Sequence, residues 1–241
     1  KDFGITKGGV NPQIIASVLG LYDSVRLKNA SIGAADVSQS KLDAEVISAL
    51  KKAKKVTLIS NTIISPSMNR AIVTMAADLN VNGVSKFEHI TYDAVSYSAM
   101  REANLKNFGA AILPSYDFSK AKSIVSIGAD FLSTWLMATE YAAQYGSRRN
   151  PEKEVEGEWM SKHFQFESNM SISGSNADYR GMIKPSEQAA VLSYFIKGLG
   201  GACAVAANVP ASAEKAAKEA LSSLKKNKKN ALVVCGSNNV G

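Results

Sequence analysis

The sequence predicts an α/β fold, a doubly wound and mainly parallel sheet with helices on both faces. Three segments carry that prediction because they share one layout: a basic or polar helix end, a short apolar β-branched run, then a small polar turn. They are Lys54-Lys55-Val56-Thr57-Leu58-Ile59-Ser60-Asn61, Lys122-Ser123-Ile124-Val125-Ser126-Ile127-Gly128-Ala129-Asp130 and Asn230-Ala231-Leu232-Val233-Val234-Cys235-Gly236-Ser237-Asn238. Runs that are apolar at nearly every position are what strands buried on both faces look like, so these belong to a parallel sheet covered by helices.

The remaining elements follow in order. Ile14, Ile15, Val18, Leu19 and Leu21 are helically spaced and, with the next helix, make a linking arm over residues 1–50. Ser40 and Asp43 have capping-box spacing, ahead of an apolar face of Leu42, Val46, Ile47 and Leu50. A Rossmann-like domain is expected over residues 51–241. In it, Ser65-Pro66 places a cap and a first-turn proline ahead of Met68, Ile72, Val73, Met75, Ala76 and Leu79. Asp93 is positioned to cap a helix carrying Val95, Ala99 and Met100, and Leu132 to Tyr145 reads as a helix stopped by Gly146. Residues 147–185 turn polar and read as a long surface excursion suited to interface contact, with short strands over His163 to Ser168 and Tyr179 to Ile183. Ser186 caps a helix from Glu187 to Lys197, closed by Gly198, and Ala211 to Lys225 offers Ala216, Ala217, Ala220, Leu221 and Leu224 for packing.

Composition narrows the class. A chain of 241 residues, 46% hydrophobic and 20% charged, is long enough for one large domain or two small ones. Its best apolar run, Gly198 to Ala213, is broken by Gly200, Gly201 and Pro210, so no membrane span is expected. Starting at Lys1 and stopping just after a strand, the chain reads as a fragment of a larger one. The net charge of +7 invites a nucleic-acid partner. Its clusters, Lys51-Lys52-Ala53-Lys54-Lys55 and Lys225-Lys226-Asn227-Lys228-Lys229, instead close helices, where cations offset the helix dipole, and no aromatic residue interleaves with them. No nucleic acid is therefore expected. Cys203 and Cys235 lie in separate apolar stretches and read as buried, inert thiols. The two histidines, His89 and His163, lack ligand spacing, so no metal or cluster site is expected.

In an open parallel sheet, ligands bind beyond the carboxyl ends of the strands. That rule selects Asn61-Thr62, Gly128-Ala129-Asp130, Gly236-Ser237-Asn238-Asn239 and Glu167, the last able to hold a ribose hydroxyl pair. No dinucleotide fingerprint, phosphate loop or nucleophile elbow is present. The histidines read as structural or exposed, and Trp135, Trp159 and the methionines as core or interface bulk.

Phe108-Gly109, Tyr116-Asp117-Phe118-Ser119-Lys120-Ala121 and Ile124 to Asp130 resemble the molybdopterin oxidoreductases, as do Asn176-Ala177-Asp178 and Ile183-Lys184-Pro185-Ser186-Glu187-Gln188-Ala189-Ala190-Val191-Leu192. More specifically, Ala16 to Leu27, Glu167-Ser168-Asn169-Met170-Ser171 and Gly174-Ser175-Asn176-Ala177-Asp178-Tyr179-Arg180 resemble the large iron–sulfur subunit of alternative complex III. This resemblance spans essentially the whole chain. It implies a non-catalytic, molybdopterin-oxidoreductase-like scaffold region of a respiratory quinol:electron-acceptor oxidoreductase. Such a region lies on the periplasmic side of the bacterial inner membrane and supports electron transfer through iron–sulfur clusters elsewhere in the chain. Implied partners are the iron–sulfur domain of the same chain and cytochrome and membrane subunits. No cofactor is expected in this fragment, and the vestigial cofactor-binding positions are Gly128, Ala129, Asp130, Glu167, Asn176, Asp178 and Gly236. Catalytic relatives place a metal ligand where this chain reads Thr91-Tyr92-Asp93-Ala94-Val95-Ser96, and their Asp-Pro-Arg is replaced here by Glu167-Ser168-Asn169. Asp93 is read as a helix cap. Its alternative, with Ser96, is molybdenum ligation in an active molybdopterin enzyme, and a free nucleotide-binding module is the other alternative.

Overall fold

The structure is a computed structural model and describes residues 8–80, 86–150 and 159–236. The chain forms two compact units, residues 17–96 on one hand and residues 1–16 with 97–241 on the other. This division follows packing, whereas the one near residue 50 follows helical spacing in the sequence.

A short helix, α1 (Pro12–Ala16), belongs to the larger unit and a 3-10 turn, Ser17–Tyr22, opens the smaller one. The spaced apolar residues of this stretch stay exposed, Ile15 at 64% and Leu19 at 66%. In the smaller unit β1 (Ala30–Ile32) and β2 (Ala35–Val37) pair antiparallel through Gly33, whose φ of +61° suits glycine. Then come α2 (Gln39–Lys52), β3 (Val56–Ser60), α3 (Pro66–Leu79) and β4 (Phe87–Thr91). β3 and β4 pair in parallel from Val56↔Phe87 to Ser60↔Thr91, with α3 as the crossover. Ser65 caps α3 with proline at its start, as the sequence predicts. The cap of α2 is Ser38, two residues before the predicted Ser40. Ser38 keeps extended backbone and accepts from Lys41 N, while Ser40 lies within the first turn and Asp43 accepts from Gln39 instead.

The larger unit continues with α4 (Ser98–Phe108), β5 (Ser123–Ile127), α5 (Ala138–Ser147), β6 (Lys162–Glu167), α6 (Ile172–Ser175), β7 (Tyr179–Met182), α7 (Gln188–Gly198), α8 (Glu214–Asn227) and β8 (Ala231–Cys235). Its sheet is fully parallel in the order β7-β6-β5-β8. Alternation along β5 sends Val125 and Ile127 to one face, where they meet Phe164, Phe166, Val191, Phe195 and the small face of α8. Ile124 points to the other face, with Phe118, Phe131, Trp135, Tyr141 and Tyr145. Phe118 and Phe131 stack at 4.3 Å between ring centroids. Ala216, Ala217, Ala220 and Leu224 are buried as predicted.

Several expectations are corrected here. β3 joins a separate two-stranded sheet, and none of its residues is buried, because that sheet has too few layers to cover it. Lys162 to Glu167 are no part of a surface excursion: β6 is a central strand, buried from His163 to Glu167. Its polar residues read as surface in the sequence, but each finds a bonded partner inside. The helix predicted from Leu132 starts only at Ala138. Before it, Asp130 O accepts the N–H groups of Ser133, Thr134 and Trp135, and Leu136 takes φ of +50°, which breaks the helical path; the helix runs through Gly146. α4 begins at Ser98 without a side-chain cap, so Asp93 does not cap it. Ser186 sits inside a 3-10 turn, Pro185–Glu187, and Glu187 Oε2 accepts from Lys184 N in its place.

Candidate functional site

The chain steps from β5 outward to β6 and β7, then returns to β8 on the other side, so the order reverses between β5 and β8. That reversal is where open α/β sheets hold ligands. Gly128 and Gly236 lie there. Gly128 N donates to Phe166 O at 2.8 Å and Gly236 N to Ile127 O at 2.9 Å. A Cβ on Gly236 would stand 2.5 Å from Gly128 O and 2.8 Å from Ala129 Cα, so the two turns touch backbone to backbone. Gly128 takes φ +65°, a conformation side chains rarely adopt, and a Cβ there would stand 2.8 Å from the tip of Gln188, at Nε2. Ala129 is fully buried and its carbonyl accepts from Ser126 Oγ at 2.8 Å.

The acids of this edge are engaged within the chain. Asp130 Oδ1 accepts from Ser173 N and Oγ at 3.0 and 2.7 Å. Glu167, only 5% exposed, accepts from Arg180 Nε at 2.7 Å, Ser171 Oγ at 2.6 Å, Ser171 N at 3.1 Å and Gln165 Nε2 at 3.2 Å. Burial pushes the Glu167 carboxyl up, but the bonds from Ser171 and Arg180 outweigh it and hold it below its usual value. A Cβ on Gly174 would land on Glu167 Oε1, so α6 lies directly over that carboxylate. Both oxygens expected to reach a ribose thus face Arg180, Ser171 and Gln165.

The structure does not bring Asn176 and Asp178 to this edge. They precede β7, at the opposite, amino end of the sheet, where Asp178 N donates to His163 O. Asp178 accepts from Arg149 Nη1 on both oxygens, at 2.9 and 2.7 Å, and from His163 N at 2.7 Å. Asn176 O accepts from Tyr145 Oη at 3.0 Å. Burial pushes the Tyr145 hydroxyl up to about 12 and the His163 ring down to about 4. His163 rests between Tyr145 Oη and Gln165 Oε1, at 3.3 and 3.2 Å, a satisfied core histidine as expected.

Arg180, Ser171 and Ser173 are the partners that the sequence reading left unassigned. The signal that points to them is spacing: Ser171 follows Glu167 by four residues, and Arg180 lies one strand away. At the amino end the structure also brings Trp159 against Arg148 and Lys122, at 4.5 and 5.4 Å. That contact joins an aromatic ring to cations distant in sequence.

In the smaller unit Thr62 N donates to Asp93 Oδ1 at 2.7 Å, and Thr62 Oγ1 to Asp93 Oδ2. Asp93 therefore ties the turn after β3 to the end of β4. His89 Nε2 lies 2.8 Å from Ser60 Oγ. Both cysteines are thiols outside any disulfide and only partly buried, short of the full burial expected. Hydrogen bonding from Ser193 holds the Cys203 thiol below its usual value. No group of three or more His, Cys, Asp or Glu side chains that could hold a metal occurs among the described residues. No described helix is long and apolar enough to cross a membrane. The turn over Ser237, Asn238 and Asn239 lies outside the described residues. A cavity of about 810 Å³ opens beside β8, lined by Met100, Asn104, Gln188, Leu192, Cys235 and Gly236 among others. Neither the protein-family models nor the curated proteins contain a match to this chain.

Proposed function

We propose that the chain is a non-catalytic scaffold region, molybdopterin-oxidoreductase-like in fold and part of a larger chain, in a respiratory quinol:electron-acceptor oxidoreductase of the alternative complex III type. It stands on the periplasmic side of the inner membrane and supports electron transfer through iron–sulfur clusters carried elsewhere in its chain. Its partners are that cluster-bearing domain and the cytochrome and membrane subunits. The observation that carries the reading is that the acids at the carboxyl edge of the sheet are bonded within the chain. Glu167 takes bonds from Arg180, Ser171 and Gln165, Asp130 takes two on its Oδ1 from Ser173, and the β5 and β8 turns meet at Gly128 and Gly236. A nucleotide would have to displace bonds already made in a buried setting, at a cost of about 1–3 kcal/mol for each group left unpaired.

The test is molybdenum content and released pterin on the purified full-length subunit. The expected result is iron without molybdenum or pterin. Stoichiometric molybdenum with pterin would replace the scaffold by an active molybdopterin enzyme. Saturable binding of a guanine nucleotide to the chain, abolished by Glu167→Gln, would replace it by a nucleotide-binding module.

A further inference from the structure

A thread of polar side chains runs along β6 inside the larger unit. Tyr145 Oη meets His163 Nδ1 at 3.3 Å, His163 Nε2 meets Gln165 Oε1 at 3.2 Å, and Gln165 Nε2 meets Glu167 Oε2 at 3.2 Å. His163 and Gln165 are fully buried, so bulk water completes none of these bonds. The protons must come from the groups themselves, and their count fixes the direction of the thread.

That direction is set at the carboxyl end. Ser171 and Arg180 hold Glu167 as a carboxylate, which offers only acceptors. Gln165 Nε2 faces this carboxylate and the Ala129 carbonyl, at 3.2 and 3.3 Å, so the amide turns its donors there and its oxygen toward the ring. His163 Nε2 therefore carries a proton and donates to Gln165 Oε1. Burial keeps the ring neutral and lowers its pKa to about 4, so Nδ1 carries no proton and accepts from Tyr145.

The Tyr145 hydroxyl has a second acceptor in reach. The Asn176 carbonyl, at the end of α6, lies 3.0 Å from Oη and also accepts from Arg149 Nη2 at 3.3 Å. One hydroxyl proton cannot serve both acceptors. While the ring is neutral, Arg149 satisfies the carbonyl and the hydroxyl proton belongs on Nδ1. A second proton on the ring makes Nδ1 a donor and releases the hydroxyl proton to Asn176. The hydroxyl keeps its own proton throughout, because burial pushes it up to about 12. Around the ring, Asp178 and Glu167 favour the extra proton and Arg149 opposes it, while Phe131 and Tyr145 pack against it as uncharged rings.

We propose that Tyr145 and His163 form a proton switch in the core: when His163 Nδ1 takes up a proton from solvent, the Tyr145 hydroxyl rotates from the ring to the Asn176 carbonyl and adds a bond to the end of α6. No bond of Tyr145 breaks; only its C–O torsion changes. α6 is the element that lies over Glu167, so the switch reaches the acid of the carboxyl edge through four residues of helix. The pair belongs to the core and stands whether the chain is a scaffold or a nucleotide-binding module.

The test is nuclear magnetic resonance on the whole chain, following the His163 ring nitrogens and the Ala177 amide, whose peptide group contains the Asn176 carbonyl. The expected neutral ring carries its proton on Nε2, and as pH falls from 6.5 toward 4 the Ala177 amide shifts with the ring's own midpoint. Tyr145→Phe keeps the ring packing and is expected to abolish the Ala177 shift. It also leaves the charged ring without an acceptor at Nδ1, which is expected to lower the His163 midpoint by about one pH unit, a tenfold loss of proton affinity. At neutral pH, where acid unfolding does not intervene, the same substitution is expected to move the Nδ1 resonance and leave Ala177 in place. A neutral ring protonated on Nδ1, an Ala177 midpoint that differs from the ring's, or an Ala177 shift retained in Tyr145→Phe overturns the proposal. So does a neutral-pH response at Ala177 without one at Nδ1.

Discussion

Two regions of this chain start from the same sequence pattern and end with opposite burial. In the larger unit β5 is buried along all five residues, Ser123 to Ile127. In the smaller unit β3 has the same length and the same number of apolar residues, three, yet none of its residues is buried and Ile59 is 68% exposed. None of residues 17–96 that the structure describes is buried. The difference lies in layers. β5 has a strand on each side and helices on both faces, whereas β3 has one neighbour, β4. A strand's own residues announce that it is fit for burial, and the number of elements around it decides whether burial occurs.

The strongest way to break the comparison is a matched pair of truncations. Phe131→Ala removes a fully buried ring that stacks on Phe118 and is expected to cost roughly 3–5 kcal/mol of unfolding free energy. Urea titration monitored at Trp135, which packs in the same cluster, reads the loss. A cost near zero would mean that the aromatic cluster is not the stabilising core. Glu167→Ala strips the buried partner of Arg180 and three further donors, and is expected to cost about 3–5 kcal/mol in the same titration. If Glu167→Ala proved neutral, the closed edge would be incidental to the fold.

The α/β class, the parallel pairing of β5 and β8, the helix start at Ser65 and the packed face of α8 were legible because local pattern decides them. The role of 147–185 was not. Lys162-His163-Phe164-Gln165-Phe166-Glu167 alternates polar and apolar like a half-exposed strand, and only partners outside the strand, Tyr145, Ala129, Arg180 and Ser171, let the polar face be buried. The candidate site shows the same divide. Gly128, Ala129, Asp130, Glu167 and Gly236 were placed by the rule for strand ends, and they do gather at one edge. Asn176 and Asp178 came through resemblance alone and lie at the other end, since a residue that precedes a strand stands at its amino end.

A pH titration sharpens the contrast further. The folded-state pKa of His163 is lowered to about 4 by burial, against 6.5 for the free ring. The unfolded chain therefore binds a proton that the folded chain refuses between those values. Stability from this group is complete above pH 6.5 and is lost as pH falls toward 4, by roughly 3 kcal/mol in all. Glu167 adds its own loss only below its ordinary carboxylate range, so the interval from pH 6.5 to 4.5 isolates the histidine. His163→Gln is expected to flatten the stability curve there. An unaltered slope in His163→Gln would show that the ring is not held neutral in the core.

The smallest effect belongs to the smaller unit. Ile47 on α2 is 52% exposed, so Ile47→Ala removes little contact and is expected to change unfolding free energy by about 0.5 kcal/mol or less. The same side chain lines an open groove of about 1060 Å³ with Leu50, Ala71 and Met75. Two helices with an apolar groove between them and no buried residue beneath draw little stability from their own unit. Amide exchange makes the point independently of any mutation. Residues of α2 and α3 are expected to exchange orders of magnitude faster than those of β5 and β6. Equal protection in both units would mean that residues 17–96 are stabilised by something beyond their own packing, and a loss well above 0.5 kcal/mol in Ile47→Ala would place that stabilisation in the groove.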